Sequence, residues 1–187
     1  MTNLKQQWKS IVGTVAFLLV VCVVVTAAVA GTFVATEERI AEQEAIMLAA
    51  SMGRLIEADQ YAVILYDENG MPLVYQATMA DGTVRGYLIL TGGRGYGGTV
   101  YVMTGMVDGM VVGVEIVGAA GETPGLGLNI QDESFRAQFY GVDGPPELIR
   151  SGSAGQNQIQ SMAGATVSVQ AVVDAVAVAM VVYDDLR

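Results

Sequence analysis

Apolar and charged positions alternate in three distinct ways along the chain. Residues 11–35 run for 25 positions without a charge. As a helix that run reaches about 37 Å against a hydrocarbon core of roughly 30 Å, which predicts a tilted membrane-spanning helix. A cleaved signal peptide is the rival reading, because Ala28, Val29 and Ala30 resemble a small-residue cleavage site. The apolar core of such a peptide is only about 7 to 15 residues long, which favours a retained anchor. Beyond it, Ile40, Ile46, Met47 and Ala50 recur at near-helical spacing behind Glu37 and Glu38. The spacing predicts a connector helix, with Thr36 as its N-cap and acids in its first turn.

From Tyr61 the period changes to short β-branched and aromatic runs: "YAVILY", "PLVYQATM", "VRGYLILTG", "TVYVMTGMV" and "MVVGVEIVG". Asn69-Gly70, Asp81-Gly82 and Asp108-Gly109 stand between runs, and such dipeptides are hairpin signals. About five strands in hairpin order predict an antiparallel or mixed sheet, twisted by its glycines. After Gly121 the texture is irregular: a Gly/Pro loop "GETPGLGLNI", a short helix "DESFRAQFYG" with Phe135 and Phe139 at i and i+4, and a flexible "SGSAGQNQ". A last helix follows, with Val169, Val172, Val173, Val176, Met180 and Tyr183 on one stripe. Sheet first and helices after predict an α+β fold, a mostly antiparallel twisted sheet with flanking helices behind one N-terminal transmembrane helix. The expected organisation is 1–36 as cytoplasmic stub and anchor, 37–60 as connector helix, and 61–187 as the folded outer domain.

Charge orients this arrangement. Lys5 and Lys9 precede the apolar run and Trp8 sits at its edge, so the positive-inside rule places the N-terminus in the cytoplasm and the domain outside it. Beyond residue 36 there are 7 Arg, no Lys and all 19 acidic residues, 7 minus 19 giving −12. Nucleic acid and anionic lipid are poor partners for such a domain, and the acid excess itself is ordinary solvation. Cys22 is the single cysteine and lies inside the apolar run, so no internal disulfide is available. There is no histidine, which removes the usual general base and the usual metal ligand. Chemistry in this chain comes from carboxylates, hydroxyls or a borrowed cofactor.

Two segments carry candidate chemistry. In "MAGATVSVQAVVDAV", Thr166 follows Gly164 and Ala165 at the mouth of the last helix. Unpaired N–H groups and the helix dipole make such an end a site for phosphate, and the small residues allow close approach. Thr166 is then either an ordinary N-cap or an attachment point beside that anion site. In "ETPGLG", Glu122 to Gly127, Pro and two glycines make a tight turn against which a flat ligand can lie, with Glu122 and Thr123 offering polar contacts.

With "GYGGTVYVMTGMV", "GVEIVGAAGETPGLG", "FRAQFYG" and "AGATVSVQAVVDAV" in that order, residues 86–187 resemble the flavin-binding domain of the G subunit of the Rnf complex. They are also similar to the related C subunit of the sodium-pumping NADH:quinone reductase, and the single N-terminal membrane helix fits both. The resemblance implies FMN esterified through its phosphate to Thr166 by a separate flavin transferase that uses FAD. It also implies a flavin bordered by Glu122, Thr123, Gly125 and Leu126, with Ala163, Gly164, Ala165, Val167 and Ser168 around the attachment point. The implied role is electron transfer within a multi-subunit, ion-translocating ferredoxin:NAD+ oxidoreductase of the membrane, with no catalytic residue of its own. Gln160 stands where the family pattern has aspartate, Ala163 where it has Ser or Thr, and Gly121 where it often has histidine. Rival readings are the corresponding quinone-reductase subunit and a membrane-anchored, non-redox binding or scaffold domain in which "AGAT" is a helix cap and "ETPGLG" a turn. A free-standing reductase would need a nucleotide fingerprint, and none is seen.

Overall fold

The computed structural model describes residues 2–187, with side chains for 12–33, 36 and 46–187. The chain divides into two compact units, Met1–Ile46 and Met47–Arg187. Within the first, helix α1 (Thr2–Leu55) carries the segment Val12–Phe33, 22 residues of mean hydropathy 2.8 with no part buried inside the protein. Its valines, leucines and Phe17 all stand exposed, which suits a helix whose solvent is lipid and whose backbone is satisfied internally. The side chains of Lys5, Trp8, Lys9, Glu37 and Glu38 lie outside the described residues.

Thr36 does not cap a second helix. The helix runs through it, and its hydroxyl donates to the Thr32 carbonyl at 2.9 Å and the Phe33 carbonyl at 3.2 Å. A threonine inside a helix can satisfy itself on the preceding turn, and no Gly or Pro interrupts the chain here to force a new start.

In the second unit, strands β1 (Gln60–Tyr66), β2 (Pro72–Thr78), β3 (Val84–Arg94), β4 (Thr99–Val107) and β5 (Met110–Gly118) form one antiparallel sheet in chain order. The hairpins turn where the dipeptides predict: Gly70, Gly82 and Gly109 all have positive φ, and Asp108 joins Gly109 at φ 51°. Register shifts between β1 and β2 and between β4 and β5 mark bulges that curl the sheet.

Helix α3 (Thr166–Asp185) crosses one face of this sheet. Its predicted stripe of Val169, Val172, Val173, Val176, Met180 and Tyr183 is buried, together with Ala171, Ala175 and Ala179, against Ile89, Val100, Val102 and Val114. Burying each valine contributes roughly 1.5–3 kcal/mol, so the stripe outweighs the modest helix propensity of so many β-branched residues. Although α3 is long and apolar enough to cross a membrane, more than half of it is buried inside the protein, as befits a core helix. It lies close because β3 offers no side chain at Gly93, where an added Cβ would fall 1.8 Å from the Ala171 carbonyl oxygen. Nearby the Thr91 hydroxyl donates to the Ala175 carbonyl at 2.8 Å.

The opposite face is covered by the last turns of α1, through Met52, Leu55 and Ile56 packed on Tyr75, Ala77, Leu88 and Met103. Glu115 on β5 ties these pieces together, pairing with Arg54 at 3.1 Å and with Arg136 of the short helix α2 (Glu133–Arg136). The expected helix around "DESFRAQFYG" is this single α turn followed by a 3-10 turn, Ala137–Phe139. It buries Phe135 and Phe139 edge to face, ring centres 5.5 Å apart. Two short parallel strands, β6 (Glu147–Ile149) and β7 (Gln158–Gln160), follow, and β7 leads into the segment before α3.

Candidate functional site

The site is built on the first turn of α3. Ala165 occupies the N-cap position at φ −123°, ψ 19°, and no side chain caps the helix. Thr166 is therefore the first helical residue, and its hydroxyl makes no cap bond. The first intrahelical bond runs from the Val169 N–H to the Ala165 carbonyl at 2.9 Å, which leaves the amides of residues 166–168 without a partner inside the helix. The chain reaches this end through Gly164 at φ +77°, a left-handed conformation that costs glycine nothing, and a Cβ there would press on Leu126 at 3.0 Å.

Glu122 fastens the surrounding pieces to one another. It is 4% exposed, and one carboxylate oxygen accepts the Tyr96 N–H at 2.7 Å and the Gly97 N–H at 3.4 Å. The other accepts the Ser168 hydroxyl. One side chain thus joins the β3–β4 loop, the "ETPGLG" turn and α3. The two loops touch backbone to backbone, and a Cβ on Gly97 would lie 1.7 Å from the Gly121 carbonyl oxygen.

These elements enclose a cavity of about 440 Å³, within the range of roughly 300–1,000 Å³ typical of small-molecule sites. Its lining comes from Tyr96, from Glu122, Thr123, Leu126 and Gly127 of the turn, and from Gly164 to Ser168 at the start of α3. Around the mouth stand Tyr96 at 76% exposure, Val167 at 49% and Leu126 at 47%. Large apolar groups beside a cavity make a surface suited to a flat ligand. A second cavity, about 570 Å³, lies on the same hairpin loop, with Tyr96 and Arg94 in its wall.

Most residues singled out from the sequence meet here. Glu122, Thr123, Leu126, Gly164, Ala165, Thr166, Val167 and Ser168 all line the first cavity, whereas Gly125 and Ala163 flank it in the chain without doing so. Tyr96 lines the cavity, while Tyr87 packs on Tyr183 with ring centres 5.8 Å apart. Ser161 was not foreseen: its hydroxyl donates to the Thr166 Oγ1 at 3.3 Å. Its only sequence signal is a hydroxyl five residues ahead of another across a Gly-Ala turn.

Residues 95–181 match the family model of the FMN-binding domain, and residues 1–55 that of the RnfG N-terminal region. The chain is 36% identical over 112 residues to the G subunit of the Na+-translocating ferredoxin:NAD+ oxidoreductase complex of Acetobacterium woodii, an alignment covering 57% of this chain and 53% of that protein. It is 28% identical over 157 residues to the G subunit of the proton-translocating ferredoxin:NAD+ oxidoreductase complex of Clostridium ljungdahlii, covering 83% and 82%. The match thus spans about half the length of the first relative and four fifths of the second. Among solved structures, NqrC of Shewanella oneidensis superposes with a TM-score of 0.51 at 19% identity, over 57% of this chain and 54% of that one. That likeness concerns the fold.

Proposed function

We propose that the chain, which matches the FMN-binding domain over residues 95–181 and the RnfG N-terminal region over residues 1–55, is the electron-transfer subunit of a membrane-bound, ion-translocating ferredoxin:NAD+ oxidoreductase, with FMN held covalently on Thr166. The observation that carries this reading is the first turn of α3, which has no side-chain cap and whose Thr166 lines the cavity. Phosphate at such an end gains on the order of 0.3–1 kcal/mol from the helix dipole, too little to retain a nucleotide. An ester bond removes dissociation altogether, which matters for a domain outside the cytoplasm and away from its flavin pool.

Attachment balances as a phosphoryl transfer. The Thr166 hydroxyl forms the bond to phosphorus, the pyrophosphate bond of FAD breaks, AMP departs, and the hydroxyl proton is released. A separate flavin transferase catalyses the step. Once bound, the isoalloxazine supplies the redox chemistry, and the protein supplies placement. Thr123, Gly125, Leu126 and Val167 border the cofactor with Tyr96. Ala163, Gly164 and Ala165 keep the approach to the phosphate free of bulk, and Glu122 and Ser168 hold the walls. Lys5 and Lys9 keep the N-terminus in the cytoplasm, and the other subunits of the complex supply and accept the electrons.

The test is the intact mass of protein extracted from membranes in which a flavin transferase is active. The expected mass exceeds that of the polypeptide by FMN less water, with the modified peptide containing Thr166. A chain that weighs only what its amino acids weigh would overturn the assignment.

A further inference from the structure

We propose that Ser161 is a positioning residue for the modification of Thr166, fixing the rotamer in which the threonine hydroxyl meets the incoming phosphorus; this rests on the reading of Thr166 as the attachment site. Hydroxyls beside an open helix end ordinarily cap it, and side chain to side chain bonds are the minority among protein hydrogen bonds. Here neither hydroxyl caps α3, and the two bond to each other at 3.3 Å in a half-buried setting. Threonine at the start of a helix divides between rotamers because its oxygen can turn back to earlier carbonyls. A donor held at Ser161 selects one of them.

Both ends of this contact are held by independent structure. Gln158–Gln160 pair in register with Glu147–Ile149, the Ser161 N–H donates to the Ile149 carbonyl at 2.8 Å, and the Gln160 N–H donates to the Gln138 side-chain oxygen at 2.7 Å. On the other side, Glu122 anchors the first turn of α3 through Ser168. Between them the chain turns through Gly164, closed by the Ala165 N–H on the Met162 carbonyl at 3.1 Å. Thr166 lines the cavity and Ser161 is not among its lining residues. In the transfer, the Thr166 oxygen to phosphorus bond forms, the FAD pyrophosphate bond breaks and AMP leaves. Ser161 neither gains nor loses a bond to phosphorus. Its contribution is to keep one oxygen aimed at the site of attack, a precondition for in-line displacement.

The experiment uses the full chain in membranes with a flavin transferase and FAD, following initial rates of flavin incorporation by in-gel fluorescence, with thermal unfolding in parallel. Ser161→Ala is expected to slow incorporation about three- to tenfold, the equivalent of one ordinary hydrogen bond, with an unfolding midpoint like that of the wild type. Ser161→Thr restores the hydroxyl and is expected to restore the rate, which a merely structural role for the side chain would not require. Wild-type rates in Ser161→Ala, or a Ser161→Thr as slow as Ser161→Ala, would overturn the positioning role while leaving the attachment site standing. A wild type that takes up no flavin at all would overturn both.

Discussion

Glu122 and Ser168 are joined by a buried hydrogen bond across 46 residues of sequence, and the same carboxylate holds the backbone of Tyr96 and Gly97. Among the described residues no arginine or lysine is its partner, and hydrogen bonds from one hydroxyl and two amides satisfy it. Glu122→Gln keeps the shape: its carbonyl can accept the two amides, and the Ser168 hydroxyl can rotate to accept the new N–H. The expected loss is about 1 kcal/mol. Glu122→Ala leaves the Ser168 hydroxyl and the loop amides without an acceptor, and about 2–3 kcal/mol is expected. Denaturant unfolding of the detergent-solubilised chain should give this order, and equal losses for the two variants would argue against the three-way contact.

Thr166 separates a cofactor role from a capping role. Replacing a true N-cap threonine with alanine costs about 1 kcal/mol on average. Because Ala165 holds the cap position and Thr166 makes no cap bond, Thr166→Ala should shift stability by no more than about 0.5 kcal/mol while abolishing flavin fluorescence that survives denaturation. A large stability loss would return the residue to an ordinary structural role.

The fold was legible wherever information was local. The Asn-Gly and Asp-Gly pairs named the turns because only a few residues accept positive φ, and the alternating runs between them became the five strands with bounds shifted by a residue or two. Thr36 misled because local sequence cannot distinguish a helix start from a threonine that bonds back within a longer helix. Strands β6 and β7 were invisible, since three residues inside a glycine-rich stretch carry no readable period. At the site, Thr166 and the "ETPGLG" turn stood out as motifs. The link from Tyr96 to Glu122 spans 26 residues and that from Glu122 to Ser168 spans 46, and no short-range pattern reports contacts of that separation.

Two turn carboxylates tie stability to pH. The Met71 N–H, helped by the backbone of Asn69, holds Asp67 below its ordinary value of 3.8. The Thr83 N–H does the same for Asp81. A carboxyl whose folded value is depressed lends stability that is complete above its unfolded value and disappears as pH falls through the folded one. The double variant Asp67→Ala, Asp81→Ala should therefore unfold at lower temperature than the wild type at pH 7, and the gap should narrow as pH falls below the ordinary carboxyl value of 3.8. A gap that persists in acid would mean that the aspartates act through turn conformation rather than charge.

Two glycines set apart what holds the fold from what shapes the site. A Cβ on Gly93 would fall 1.8 Å from the Ala171 carbonyl oxygen, and one on Gly97 would fall 1.7 Å from that of Gly121. The distances are nearly equal, but the surroundings differ. Gly93 is buried between strand β3 and helix α3, where relief requires lifting the core helix, so Gly93→Ala should cost about 3 kcal/mol. Gly97 and Gly121 belong to exposed loops that can part, so Gly97→Ala should cost only about 1 kcal/mol. Parting them strains the amides that Tyr96 and Gly97 offer to Glu122 and displaces the tyrosine at the cavity mouth. Flavin incorporation into Gly97→Ala should accordingly fall several-fold in a chain that still folds, read as fluorescence per mole of folded protein. Full loading of Gly97→Ala would show that the meeting of the two loops is dispensable for the site.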